Sequence, residues 1–215
     1  ECAMSMENNQ DVRVALADLS AGEGALKERV RALVLDAVLR HEADPKALRR
    51  VLKDAVAGVG EGLSRRGEVA SHALQEAMEG LDEAIGKSVY ALQMALEEAW
   101  GQGRQFAQQD LKEAADAVKD LEDDLLRTLK ETADRAQGGV RDEFVRMSDH
   151  LRRTGTDTGA RVRDVLALLQ TRLNTAASGA TTDAREAART AASRLAQVAS
   201  GILRGLADAI DARKP

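Results

Sequence analysis

Proline is nearly missing from this chain of 215 residues: only Pro45 and Pro215 occur, so nothing between them forces a helix to stop. Aromatic residues are equally scarce, limited to Tyr90, Trp100, Phe106 and Phe144. Leu, Ile, Val and Phe together number 47, too few for the β-branched and aromatic mass that a β-sandwich or α/β core draws on. One cysteine, Cys2, excludes an internal disulfide and fits a reducing compartment, so a cytoplasmic location is expected. No apolar run approaches the ~18 residues of a membrane span, and no signal peptide is visible. The formal net charge of −5 lacks the basic excess on which phosphate binding rests, which argues against nucleic acid as a partner. Glu1-Cys2-Ala3 ahead of Met4 reads as a remnant, and residues 1–5 are set aside.

What remains is helix-forming material. Alanine alone supplies 39 residues, and Leu, Glu, Arg, Asp and Gln supply much of the rest. The expected fold class is all-α, more than ~70% helical against the usual third. Charge is unevenly spread along it. Residues 68–137 carry 7 basic and 16 acidic groups, net −9, and residues 138–215 carry 13 basic and 9 acidic groups, net +4. The two segments are expected to lie against each other, in one chain or between chains, as an antiparallel pair hinged near Gly138-Gly139.

A period of eleven organises the apolar residues. Stepping from Leu19 gives Val30, His41, Leu52, Leu63, Leu74, Ile85, Leu96, Ala107, Val118, Leu129, Val140, Leu151, Val162, Leu173, Ala184, Leu195 and Leu206. Seventeen of these eighteen positions are apolar, where composition alone would give about eight. A second phase, four residues later, contains Trp100, Leu111 and Phe144. Spacings of four, three and four keep all of these on one helical face. Eleven residues make three turns at 3.67 per turn, so the stripe drifts slowly and needs no left-handed supercoil. A register that survives every apparent break implies either a nearly continuous helix or separate units that present the same face. The predicted architecture is a set of elongated amphipathic helices in an antiparallel bundle or coiled coil.

Boundaries are legible in places. Residues 1–18 are expected to be a flexible N-terminus. Residues 19–67 read as a two-helix segment: Ser20 with Glu23 forms a capping-box pattern, and Asp44-Pro45 marks a restart. The second of those helices is expected to fade in the run Gly58, Gly60, Gly62, Gly67. Residues 68–212 read as one long helical region with hinges near Gly138-Gly139 and within 154–159, Thr-Gly-Thr-Asp-Thr-Gly. Uninterrupted, residues 68–137 would span ~105 Å. Acid-first pairs four apart line the outer face: Glu83–Lys87, Asp123–Arg127, Glu131–Arg135, Asp142–Arg146, Asp149–Arg153 and Asp157–Arg161.

Signals of catalysis are absent. His41, His72 and His150 are far apart, with no His or Cys at ligand spacing, so no metal and no catalytic residue is expected. Glu122-Asp123-Asp124 reads as a solvated acidic face, and Arg49-Arg50, Arg65-Arg66 and Arg152-Arg153 read as helix surface. No glycine pattern ends in Gly-Lys-Ser/Thr, so no phosphate loop and no cofactor is expected. In 193–210, Leu195, Val198, Ile202, Leu206 and Ile210 gather on one face beside Gly201 and Gly205, while Arg204 and Asp208 exclude a span.

The eleven-residue period, the alanine-rich faces and the scarcity of aromatics and proline resemble three helical groups. These are the phasins that coat bacterial polyhydroxyalkanoate granules, the exchangeable apolipoproteins and the late-embryogenesis-abundant proteins. The resemblance covers about residues 19–211. It implies a non-enzymatic protein whose stripe binds a granule, lipid or hydrophobic client. The stripe comprises Leu74, Ile85, Leu96, Trp100, Leu111, Val118, Leu129, Val140, Phe144, Leu151, Val162, Leu173, Leu195, Ile202 and Leu206. The alternative is a structural bundle or coiled coil that self-associates as a homo-oligomer through a partner helix, with a stress-protective role and no lipid ligand.

Overall fold

The computed structural model describes residues 2–22, 24–40, 45–66, 71–102 and 108–176. Within them the chain forms eight α-helices: α1 (Cys2–Ala21), α2 (Leu26–Arg40), α3 (Pro45–Arg66), α4 (Ser71–Gly101), α5 (Gln108–Lys119), α6 (Leu121–Arg135), α7 (Gly138–Thr154) and α8 (Asp157–Ala176). The fold is all-α, as its composition requires.

Cross-helix contacts set the direction of each element. Asp18 meets Arg65 at 2.8 Å and Arg13 pairs with Glu61, so α1 and α3 ascend together. Lys27 reaches Glu79 at 3.3 Å and Arg31 reaches Glu83 at 3.0 Å, which makes α2 parallel to α4. Arg49 contacts Asp124 at 2.6 Å, and Gly60 abuts Thr132, so α3 and α6 are parallel too. Arg161 stacks over Tyr90 and Arg172 over Trp100, 5.1 and 4.9 Å from the ring centres, which makes α8 parallel to α4. Successive hairpins therefore stack side by side. One layer holds α1, α3 and the run α5–α6; the other holds α2, α4 and the run α7–α8. Between the layers lies one contiguous core containing Leu16, Val30, Leu52, Leu81, Ile85, Leu96, Leu121, Leu129 and Phe144.

Several boundaries differ from the sequence expectation, each for a physical reason. The N-terminal stretch is helical, because Val12, Leu16 and Ala17 bury against α3. Ser20 does not cap a helix; it sits within α1, buried, and α2 starts at Leu26 after Gly24 turns the chain at a φ of 109°. Helix α3 begins at Pro45 but does not fade at its glycines. A Cβ on Gly58 would stand 2.4 Å from the Arg13 carbonyl oxygen, and one on Gly62 would stand 2.3 Å from that of Ala17. Those glycines let α1 approach closely, and packing outweighs their poor helix propensity. Residues 68–137 are not one rod: α4 ends at Gly101, and α5 and α6 break at Asp120. The expected two-segment hairpin is likewise replaced by a stack in which α4 packs against α2 as well as α8. Both later hinges are real turns, with Gly138 and Gly155 at φ of 58° and 77°.

Candidate functional site

The apolar stripe is divided among the helices and turned inward. Leu74, Ile85, Leu96, Leu111, Val118, Leu129, Phe144 and Val162 are buried, and Trp100, Val140, Leu151 and Leu173 are half-buried against the same core. Leu195, Ile202 and Leu206 lie outside the described residues. The eleven-residue register survives the chain breaks because separate helices present the same face to one core. Among the described residues the stripe is therefore not an exposed ribbon, and the helices it packs against come from the same chain. Val14 and Val145 are the large hydrophobic side chains left exposed among the described residues.

Helix α7 is the exception to deep burial. It has two buried side chains, Phe144 and Ser148, where the shorter α6 has seven. A cleft of about 360 Å³ opens between α4 and α7, floored by Met78, Met147 and Leu151 and edged by Glu79, Asp82 and His150. A second, of about 350 Å³, lies where α1, α3 and α6 meet, lined by Arg13, Gly60, Glu61, Arg65, Thr132 and Arg135.

Two polar nodes hold the elements around these clefts. At the start of α8, Asp82 of α4 accepts the backbone N–H of Asp157 at 2.8 Å and that of Thr158 at 2.9 Å. The Thr156 hydroxyl accepts the N–H of Gly159 at 2.8 Å and donates to Glu122 of α6 at 2.9 Å. The first N–H groups of α8, which have no intrahelical acceptor, are thereby taken up by Asp82 of α4 and by Thr156, while Glu122 of α6 holds the Thr156 hydroxyl in place. Glycine at 86 and 159 makes the approach possible, since a Cβ at either would meet a carboxylate oxygen within 2.4 Å.

The second node is Asp124, whose side chain is only 2% exposed. Arg49 donates to it through Nε at 2.6 Å, Arg127 pairs with it from the next turn, and Lys53 stands 3.9 Å away. The expectation of a solvated Glu122-Asp123-Asp124 face is corrected here: only Asp123 is exposed. Arg49 likewise is not plain surface. A signal for Asp124 was present, since it lies three residues after Leu121 and four before Thr128, both buried. No sequence signal marked Asp82, because its partners are backbone groups 75 residues away.

Elsewhere the charges serve packing. Burial opposes ionisation of Glu83, but hydrogen bonds from Lys87 and Arg31 outweigh it and hold its carboxyl below the ordinary range. Burial lifts the Asp54 carboxyl above its ordinary value, against the pull of Arg13, Arg50 and Lys53. Of the six acid-first pairs, Glu83–Lys87, Glu131–Arg135 and Asp157–Arg161 form within 4.0 Å. Arg127 and Arg146 instead pair with Asp124 and Glu143, three residues before them. His72 stands near Glu76 and His150 is exposed, whereas His41 lies outside the described residues. Among the described residues, no group of three or more His, Cys, Asp or Glu is placed to hold a metal ion. Nor is any described helix long and apolar enough to cross a membrane.

With this geometry in hand, comparison with known proteins gives one family. The chain belongs to a family of unknown function (DUF6781), whose model matches residues 3–212. No curated protein and no solved structure matches it.

Proposed function

We propose that this protein is a non-enzymatic helical bundle that binds or coats an apolar surface, such as a granule, a lipid phase or a hydrophobic client. The observation that supports this most is the uneven burial of the stripe. Helices α3, α4 and α6 bury their apolar faces deeply, whereas α7 sends only Phe144 fully into the core, keeps Val140 half-buried and leaves Met147 and Leu151 half-buried along the α4–α7 cleft. Apolar area transferred from that shallow seat to an external surface would contribute about 25 cal/mol per Å². The folded bundle is thus the storage form, and binding draws on helices it holds lightly.

Closure of the core within one chain favours a second reading, a structural bundle that self-associates without lipid. Adsorption of the full chain to triolein droplets in water, followed by flotation, separates the two. Co-flotation that Leu151→Asp weakens supports the coating function. A chain left wholly in the aqueous phase, with an oligomeric state that changes with concentration, would replace it with the structural reading.

A further inference from the structure

Helix α7 sits between two glycine joints and two anchored neighbours. Gly138 and Gly155 adopt left-handed φ at its ends, and a Cβ on either would meet nothing within 4 Å, so neither joint is sterically locked. Upstream, α6 is fixed by its seven buried side chains and the Asp124 node. Downstream, Asp82 and Glu122 clamp the start of α8. Between them, α7 is held by two buried side chains, Phe144 and Ser148.

Its residues are ordered around the helix in a particular way. At about 100° per residue, Val140, Phe144, Met147 and Leu151 share one stripe. Arg141 and Arg152 flank that stripe on one side, and Arg146 and His150 flank it on the other. Asp142 and Asp149 lie opposite, at the centre of the polar face. Among the described residues, no carboxylate comes within ion-pair distance of Arg141, Arg152 or Arg153. Val145, one turn from Arg141 on the same flank, is 44% exposed. Cations at an apolar boundary extend their stems along the apolar surface and place their heads at the level of anionic headgroups; no acid stands on the Arg141–Arg152 flank, and Glu143, the one acid on the opposite boundary, is paired to Arg146.

We infer that α7 is the element that lies down on an anionic lipid surface, turning on Gly138 and Gly155 while α8 stays clamped to α4 and α6. The inference rests on the coating function proposed above and names its contact segment and the charge of its surface. On such a surface Met147 and Leu151 exchange the cleft, and Val140 and Phe144 the edge of the core, for acyl chains. Arg141 and Arg152 gain anionic partners that none of the described residues supplies.

The test uses the full chain with vesicles of phosphatidylcholine alone and with phosphatidylglycerol added. Sedimentation is expected to show binding that requires phosphatidylglycerol. Each arginine removed from the boundary should weaken that binding about fivefold, or ~1 kcal/mol, so the pair Arg141→Gln and Arg152→Gln should weaken it roughly 25-fold. Arg40→Gln changes charge equally at an exposed residue on α2 and should leave it unaltered. Hydrogen exchange on the vesicles should change over 141–153 and keep the free-state pattern over 121–135 and 157–170. Equal binding to both vesicles, equal loss from Arg40→Gln, or joint loss of protection across α6, α7 and α8 would overturn the inference. A chain that coats triolein droplets yet shows any of those results keeps the coating function and loses this surface. A chain that adsorbs to neither droplets nor vesicles loses both.

Discussion

Asp82 and Thr158 are 76 residues apart in sequence, yet the Asp82 carboxylate accepts the Thr158 backbone N–H at 2.9 Å and its carbonyl oxygen accepts the Thr158 hydroxyl at 3.3 Å. One residue of α4 thus does for α8 what a local capping residue ordinarily does. Removing it should leave the Asp157 and Thr158 N–H groups unpaired. Asp82→Ala is expected to destabilise the bundle by about 1–2 kcal/mol, measured by urea unfolding. Hydrogen exchange should localise the loss to the first turn of α8. A variant as stable as the parent, with unchanged exchange there, would show that Thr156 alone suffices as the cap.

Asp124 is buried among three cations, which makes the consequence of deleting one partner asymmetric. Arg49→Met removes the Nε donor and leaves an under-compensated buried carboxylate, for which a loss of about 2–4 kcal/mol is expected. Combining Arg49→Met with Asp124→Leu should recover part of that loss, since the charge is removed with its partner. A double-mutant cycle measured by thermal unfolding reads the coupling; additive losses would deny that the pair interacts.

The helical glycines make opposite predictions according to what faces them. Gly62→Ala places a methyl carbon 2.3 Å from the Ala17 carbonyl oxygen, so α1 must move away from α3. The gain in helix propensity, about 1 kcal/mol, is expected to be exceeded by a packing loss, leaving a net destabilisation of roughly 1–2 kcal/mol. At Gly101 a Cβ meets nothing within 4 Å, and alanine there should stabilise by a few tenths of a kcal/mol. Differential scanning of the two variants should show their transitions moving in opposite directions.

Glu83 joins α4 to α2 through Arg31 at 3.0 Å, and Lys87 on its own helix supplies the second donor at 2.5 Å. Its folded carboxyl titrates below the ordinary value of 4.5, so the folded state binds fewer protons there than the unfolded chain. The resulting stabilisation is full above that value and is lost as pH falls through the lowered folded value. Glu83→Gln should lower stability near neutral pH and flatten the acid limb of a stability–pH curve. An acid limb of unchanged steepness in the variant would remove Glu83 from the account of acid unfolding.

Helix content, the position of the core face and several turns were all legible in the chain itself, because each depends on local chemistry. Alanine richness and missing proline demand helices, the eleven-residue spacing of Leu52, Leu63, Leu74, Ile85 and Leu96 marks which face is inward, and Pro45, Gly138 and Gly155 mark where helices start or turn. The same period cannot say what the face packs against. Whether Leu129 meets lipid, a second chain or α3 depends on how helices far apart in sequence are brought together, and packing within the chain answers it. Two further features were decided only there. Gly58 and Gly62 read as helix weakeners until α1 lies across them, for their value is in the backbone approach they permit. Asp124 reads as part of a solvated acidic face until α3 supplies an arginine, and Asp82 carries no signal until α8 supplies unpaired N–H groups. A sequence states each residue's own preference; only the assembled layers show which preferences are overruled by a partner 75 residues away.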